Sequence, residues 1–289
     1  APKDVEIIAI YNTSEDIREL VEEKKLNNIQ LYKCNLAKRE KIEQLFEKIG
    51  NNFECCIYLA GNVDVPLSIK DPLKDLDGNA GILLNFLQSC GKINKFIYMS
   101  SAAVYDGVDG TVTVNTHLDP TVPYCVSKLI CEQYIKYFSK TGKINNYIIL
   151  RFGGAYGKYS RASKFVDFVV NKIYVQNKKI IEVYGDGTNK VNIMYAKDTV
   201  KALVRCIDSE KSNVICNLGQ GTMTVTEVVQ RIAKTFSNKV KIKYTPRIKE
   251  QKYIFFELDV DFNKVFDFKP DYSFERGIKE FGDILKNER

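Results

Sequence analysis

Histidine is nearly absent from this sequence: His117 is the only one in 289 residues. A zinc site or a histidine-based serine triad needs more imidazole, or a cysteine cluster, so no metal is expected. The eight cysteines, Cys34, Cys55, Cys56, Cys90, Cys125, Cys131, Cys206 and Cys216, make no CxxC pair. Most lie in apolar runs, where cysteine behaves as a small buried hydrophobe. A chain this long needs no disulfide staples, and a reducing cytoplasm is the expected setting. No run of about eighteen apolar residues occurs, so no membrane-spanning helix is expected. The start, Ala1-Pro2-Lys3-Asp4, lacks the basic and apolar stretches of a signal peptide. Internal repeats and low-complexity linkers are also missing.

What is present suits a large α/β protein. Hydrophobic residues make up 45% and charged residues 27% of the chain, enough apolar material for a core. The net charge of +7 comes from scattered lysines rather than a basic stripe with interleaved aromatics. That pattern argues against a nucleic-acid partner and allows an anionic ligand such as a phosphorylated cofactor. Apolar runs at 5–11, 29–34, 53–60, 95–99 and 146–151 read as strands. Between them, 14–25, 39–49, 73–90 and 124–138 have helical spacing. The alternation predicts a Rossmann-like, doubly wound parallel sheet with helices on both faces. After Arg151 the pattern loosens. Helices are expected at 163–175, 198–208, 226–236 and 272–285, the last capped near Ser273, with strands at 213–218 and 239–244. This half reads as a smaller C-terminal substrate lobe. The expected division gives residues 1–155 and 188–208 to a dinucleotide-binding domain, and 156–187 and 209–289 to the lobe.

The chemistry concentrates around YCVSK at 124–128. Tyr124 and Lys128 are four residues apart and share one helix face. A free tyrosine has a pKa of about 10, and a neighbouring ammonium favours its phenolate. Such a pair can move a proton on an alcohol or ketone. Both residue types are common on helix surfaces, so spacing alone does not mark a site. The surroundings do. Ser100-Ser101 closes a strand, and in open α/β sheets ligands bind beyond the carboxyl ends of strands. Pro120 and Pro123 then lead the chain into the Tyr124 helix.

Several stretches in order carry a resemblance: IYLAG (57–61), NAGILLNFLQSC (79–90), FIYMSSAAVY (96–105), DPTVPYCVSKLICE (119–132), RFGGAYG (151–157), YGDGTNKVNIMYAKD (184–198), NLGQGTMTVTEV (217–228) and FDFKPDYSFERGIKEF (266–281). Together they resemble the extended short-chain dehydrogenase/reductase family, the epimerase/dehydratase type that includes UDP-galactose 4-epimerase. The resemblance implies that Tyr124 is the acid/base, that Lys128 binds the nicotinamide ribose and tunes Tyr124, and that Ser101 holds the reacting oxygen. It places NAD or NADP contacts at Tyr11, Asn12, Asn35, Leu59, Ala60, Gly61, Ser100 and Arg151, besides Tyr124 and Lys128. Asn79 would support the sheet end beside the site. Substrate contacts fall on Ala102, Gly154 and Val191.

Departures from the family pattern matter as much. Tyr11 stands where NAD-preferring members carry an acid for the ribose, and Asn35 where an aspartate usually meets adenine. Gly154 and Val191 replace an asparagine and an arginine that often contact a nucleotide diphosphate. Ala102-Ala103 follow Ser101 where dehydratases carry Asp-Glu, which disfavours a 4,6-dehydratase. A GxxGxxG phosphate turn is missing near the first strand. That strand, at 5–11, matches the family's second, so a strand–turn–helix unit of about 25 residues is expected beyond the given sequence; the alternative is a protein that lacks the loop and no longer binds the cofactor in the usual way. The expected activity is epimerisation of a nucleotide-linked sugar. NAD(P)H-dependent ketoreduction and a non-catalytic dinucleotide sensor or scaffold are the alternatives. The resemblance also implies a homodimer through the helices at 73–90 and 124–138, with Ile82, Leu83, Leu87, Leu129, Ile130 and Ile135 as candidate contacts.

Overall fold

A computed structural model describes residues 5–13, 16–159, 164–247 and 254–287. In chain order the elements are β1 (Ile7–Tyr11), α1 (Asp16–Glu23), β2 (Ile29–Lys33), α2 (Arg39–Ile49), β3 (Phe53–Tyr58), α3 (Val65–Lys70) and α4 (Pro72–Leu76). A π-helical turn (Asp77–Gly81) leads into α5 (Ile82–Ser89), β4 (Ile93–Ser101), a 3₁₀ turn (Ala102–Tyr105), β5 (Thr111–Val112), α6 (Pro123–Lys140), β6 (Ile144–Phe152) and β7 (Ala155–Tyr156). The remainder comprises α7 (Lys164–Val170), a second π turn (Asn171–Val175), β8 (Ile180–Tyr184), β9 (Lys190–Asn192), β10 (Met194–Tyr195), α8 (Ala196–Asp208), β11 (Val214–Leu218), β12 (Thr222–Thr224), α9 (Val225–Thr235), β13 (Lys241–Thr245), β14 (Glu257–Leu258), α10 (Phe262–Val265) and α11 (Phe274–Asn287). The expected helix starts at Ser14 and Ser163 lie outside the described residues, as does Ala1–Asp4.

The central sheet is parallel, in the order β11-β6-β4-β3. β4 and β6 are its middle strands. Their apolar runs are buried on both faces, as a parallel strand covered by helices requires. One face packs against α2, α5 and α6 through Leu45, Phe46, Leu83, Phe86, Leu87, Phe96 and Ile135. The other carries Ile97, Ile148 and Leu150 against α8 and α10, through Ala202, Leu203, Cys206 and Phe262. A further apolar cluster joins α7, α9 and α11 through Val166, Val169, Val228, Ile232, Ile278 and Phe281. It is distinct from the two clusters that cover the central sheet. The eight cysteines are all free thiols, six of them buried.

β1 and β2 form a separate parallel pair. They share the α2/α5 core, where Ile10, Tyr32 and Leu36 pack. Only β4 pairs with β3 among the described residues. No described strand pairs with both the β1–β2 pair and β3.

Three expectations need correction. Residues 73–90 are not one α-helix: the π turn at Asp77–Gly81 interrupts it. Extra residues of this kind cluster at functional sites. The lobe boundary at 209 is also displaced. β11 pairs with β6 in the central sheet, and Phe262, Phe266 and Phe268 pack beneath that sheet. Conversely Val191, Ile193 and Tyr195 pack into the α7/α9/α11 core, although the sequence pattern assigns 188–208 to the dinucleotide part.

Candidate active site

The register of the central sheet assembles the site. Tyr58 pairs with Tyr98, and Ser101 with Phe152, so β3, β4 and β6 end along one edge. Leu59, Ala60 and Gly61 leave β3 there, beside Ser100 and Ser101. Pro123 occupies the first turn of α6, where its missing N–H costs nothing. The preceding loop is tied down by Asp106, whose carboxylate accepts from both the backbone N–H and the hydroxyl of Thr121. Tyr124 follows Pro123 in the first turn of α6, with Lys128 one turn further. Both are buried, at 7% and 5% exposure.

The Ser101 side chain lies near enough to the Tyr124 phenol to favour its anion. Ser101 also caps the 3₁₀ turn, accepting from the Ala103 N–H at 3.1 Å. Lys128 Nζ lies 6.0 Å from the Tyr124 ring centre and 5.1 Å from that of Tyr98. Among the described residues its one hydrogen bond is long, 3.4 Å to the Met99 carbonyl. Burial pushes the Tyr124 phenol up to about 12, and the Ser101 hydroxyl offsets only part of this. The spacing argument anticipated a lowered value; burial dominates instead. Burial also lowers the Lys128 ammonium, against the opposing influence of Cys131, Asp75 and Glu132.

A dinucleotide would meet a prepared surface here. Asn79 is 2% exposed, and its Oδ1 has no hydrogen-bond partner among the described residues. A Cβ on Gly61 would stand 2.7 Å from that oxygen and 3.4 Å from Lys128 Nζ, so only glycine leaves this space open. An orphan acceptor beside an under-bonded ammonium suits the hydroxyls of a ribose. These residues fit the nicotinamide end of NAD(P).

The other expected positions divide. Tyr11, Asn12 and Asn35 meet at the ends of β1 and β2, where the Cys34 N–H donates to the Tyr11 carbonyl. The Tyr11 hydroxyl accepts from Arg18, a cation that the sequence pattern does not connect with it. Asn35 Oδ1 closes a turn onto the Ala37 N–H. Arg151 is engaged within the protein. Its Nε and Nη2 donate to the two Glu132 oxygens at 3.1 and 2.8 Å, and its Nη1 to Tyr105 and the Val114 carbonyl. Ser100 is likewise engaged, donating to Glu132 at 2.7 Å. Ala102 is buried with Val104, Tyr105 and Phe256, so its methyl is packing. Gly154 remains open: a Cβ there would meet nothing closer than 3.9 Å, although its φ of +157° favours glycine. Val191 is half-buried in the second core. His117 is exposed, and no metal-binding cluster occurs among the described residues.

Comparison with known proteins shows the family. A model of the NAD-dependent epimerase/dehydratase family matches residues 1–219. A protein of Methanocaldococcus jannaschii, provisionally named UDP-glucose 4-epimerase, is 28% identical over 255 residues, covering 85% of this chain and 81% of that one. Among solved structures, the UDP-N-acetylglucosamine 4-epimerase of Methanobrevibacter ruminantium, in complex with UDP-N-acetylmuramic acid, superposes with a TM-score of 0.83. It is 23% identical and covers 98% of this chain and 91% of its own. The Thermus thermophilus UDP-glucose 4-epimerase in complex with NAD gives a TM-score of 0.79 at 19% identity, covering 98% and 99%. At these identities the two structures show a shared fold. No described helix is long and apolar enough to cross a membrane.

Proposed function

Because this chain belongs to the NAD-dependent epimerase/dehydratase family, we propose that it epimerises a nucleotide-linked sugar through Tyr124, Ser101 and Lys128. One observation carries the reading: a buried tyrosine and lysine one helical turn apart, beside a serine at a parallel strand's carboxyl end. Bound NAD(P) supplies the hydride acceptor and donor and, when oxidised, a positive charge at the site. Ser101 holds the oxygen of the carbon to be inverted. Tyr124 takes the hydroxyl proton as hydride leaves that carbon, and returns it when hydride comes back to the other face of the ketone. Lys128 holds the ribose and favours the phenolate. Leu59–Gly61 offer a surface past which the cofactor runs, and Tyr11, Asn12 and Asn35 one for its adenosine end. The absence of an acid pair after Ser101, with Ala102 sealed in an apolar cluster, separates the site from that of a dehydratase.

The same reading includes a homodimer. Leu83, Leu87 and Ile135, candidate contacts from sequence, are core residues. The exposed apolar stripe on α6 is instead Val126, Tyr134 and Tyr137, with Ile130 half-buried between them. These sit at i, i+8, i+11 and i+4 along one helix face, which can pair with its symmetry mate.

The test of mechanism is Tyr124→Phe. It removes the hydroxyl and keeps the ring in its site. Turnover of a nucleotide sugar should fall by roughly 10² to 10⁴, the usual worth of a general acid/base, with little change in thermal midpoint. Near-full activity refutes the assignment.

A further inference from the structure

We propose that Asp75 is a positioning residue for the Tyr124–Lys128 pair, tying α6 down through Ser127 and serving as the buried counter-charge of the Lys128 ammonium. Asp75 lies on α4 and is 0% exposed. Its Oδ1 accepts from Asn62 Nδ2 at 2.7 Å and Asn79 Nδ2 at 3.0 Å, and its Oδ2 accepts from Ser127 Oγ at 2.7 Å. All three donors are neutral. A buried carboxylate needs compensation by a cation or by full hydrogen bonding. Lys128 follows Ser127 on the helix that Asp75 holds.

The titratable groups that bear on the pair decide which charge matters. On α6 these are Cys125, Cys131 and Glu132; on β4, Tyr98; on α4, Asp75. Burial pushes the thiols and Tyr98 up, so they stay neutral. Glu132 is already matched by the bidentate Arg151. The Asp75 carboxylate alone has no such partner, and in a poorly polarisable interior it acts beyond contact distance. It favours the ammonium of Lys128 and opposes the phenolate of Tyr124. Asp75 also orients Asn79. The Asn79 Nδ2 donates to the Asp75 carboxylate and, at 3.2 Å, to the Asp75 carbonyl. This turns the orphan Oδ1 toward the space between Gly61 and Lys128.

The catalytic consequence rests on the reading of Tyr124 given above, but the electrostatic one does not. The experiment therefore titrates Lys128 directly, by NMR of lysine labelled at Cε, with the signal assigned by its loss in Lys128→Met. In Asp75→Asn the Lys128 signal should titrate at lower pH than in the wild type. In the direction where Tyr124 takes a proton, the acid limb of kcat/KM should also move to lower pH. A merely structural role would lower the rate without moving either. An unmoved Lys128 titration overturns the proposal. A moved titration together with a fully active Tyr124→Phe overturns the catalytic reading instead. Should Asp75→Asn fail to fold, Asp75→Ser serves as the neutral variant: the Lys128 signal should again titrate at lower pH, and an unmoved titration refutes the proposal.

Discussion

Glu132→Gln removes one charge and almost no volume, and its cost can be worked from its surroundings. The Glu132 and Arg151 side chains are 0% and 4% exposed, with Nη2 and Oε2 2.8 Å apart. Arg151 cannot shed its proton, and the Glu132 partnership raises its pKa further, against burial. The variant therefore leaves a guanidinium uncompensated in the core. Tyr105 and the Val114 carbonyl are its remaining neutral partners, and Ser100 faces a weaker acceptor. Breaking a buried pair from one side costs about 3–5 kcal/mol, a large part of a typical stability of about 5–15 kcal/mol. The exposed Arg39–Glu43 pair on α2, with the same 2.8 Å separation, supplies the control. An exposed i,i+4 pair is worth only about 0.3–0.5 kcal/mol. Urea unfolding of Glu132→Gln and Glu43→Gln, compared at constant slope, should show losses differing severalfold. Equal losses, or a loss below about 1 kcal/mol for Glu132→Gln, would refute the view that this pair is a desolvated anchor of α6.

Two further outcomes follow from exposure and burial. Burial pushes the Asp167 carboxyl up to about 6, and its Oδ1 lacks a hydrogen-bond partner. The folded state thus holds this proton more tightly than the unfolded chain, so stability falls as pH rises from the ordinary aspartate range through about 6. Asp167→Asn should raise the thermal midpoint near neutral pH and lose that advantage in acid; an unchanged difference across the range contradicts it. On α6, Val126→Glu with Tyr134→Glu should convert a dimer to a folded monomer in light scattering. A wild-type monomer at micromolar concentration refutes the proposed interface.

The sequence showed the elements whose pattern is local. β4 and β6 were legible as continuous apolar runs, and α2 from its helical spacing over Arg39–Ile49. Ser273 does cap the last helix, accepting from the Arg276 N–H at 3.2 Å. What stayed hidden depends on partners far apart in the chain. Ser127 and Asp75 are 52 residues apart, and Ser100 and Glu132 are 32 apart. No periodicity reports such a bond, so Asp75 and Glu132 read as ordinary helix charges. Arg151, a cation at a strand end, looked like a ligand contact because its acceptor was invisible. The phenol of Tyr124 was misjudged for a related reason: helical spacing shows the neighbouring lysine but not the degree of burial, and burial dominates. The π turn at Asp77–Gly81 shifts the helix face by a single residue, too little to break the apolar pattern of the surrounding helix.

The central claim is hydride removal and return at a sugar carbon with no net use of cofactor. Incubation with NAD⁺ or NADP⁺ and a panel of UDP- and dTDP-linked hexoses, followed by sugar NMR and by absorbance of the reduced nicotinamide, tests it most directly. The expected result is an equilibrium of two sugars differing at one carbon, with no net accumulation of reduced cofactor, abolished in Tyr124→Phe. Stoichiometric consumption of NAD(P)H with a keto substrate, and no epimer from any nucleotide sugar, would contradict it and identify a reductase.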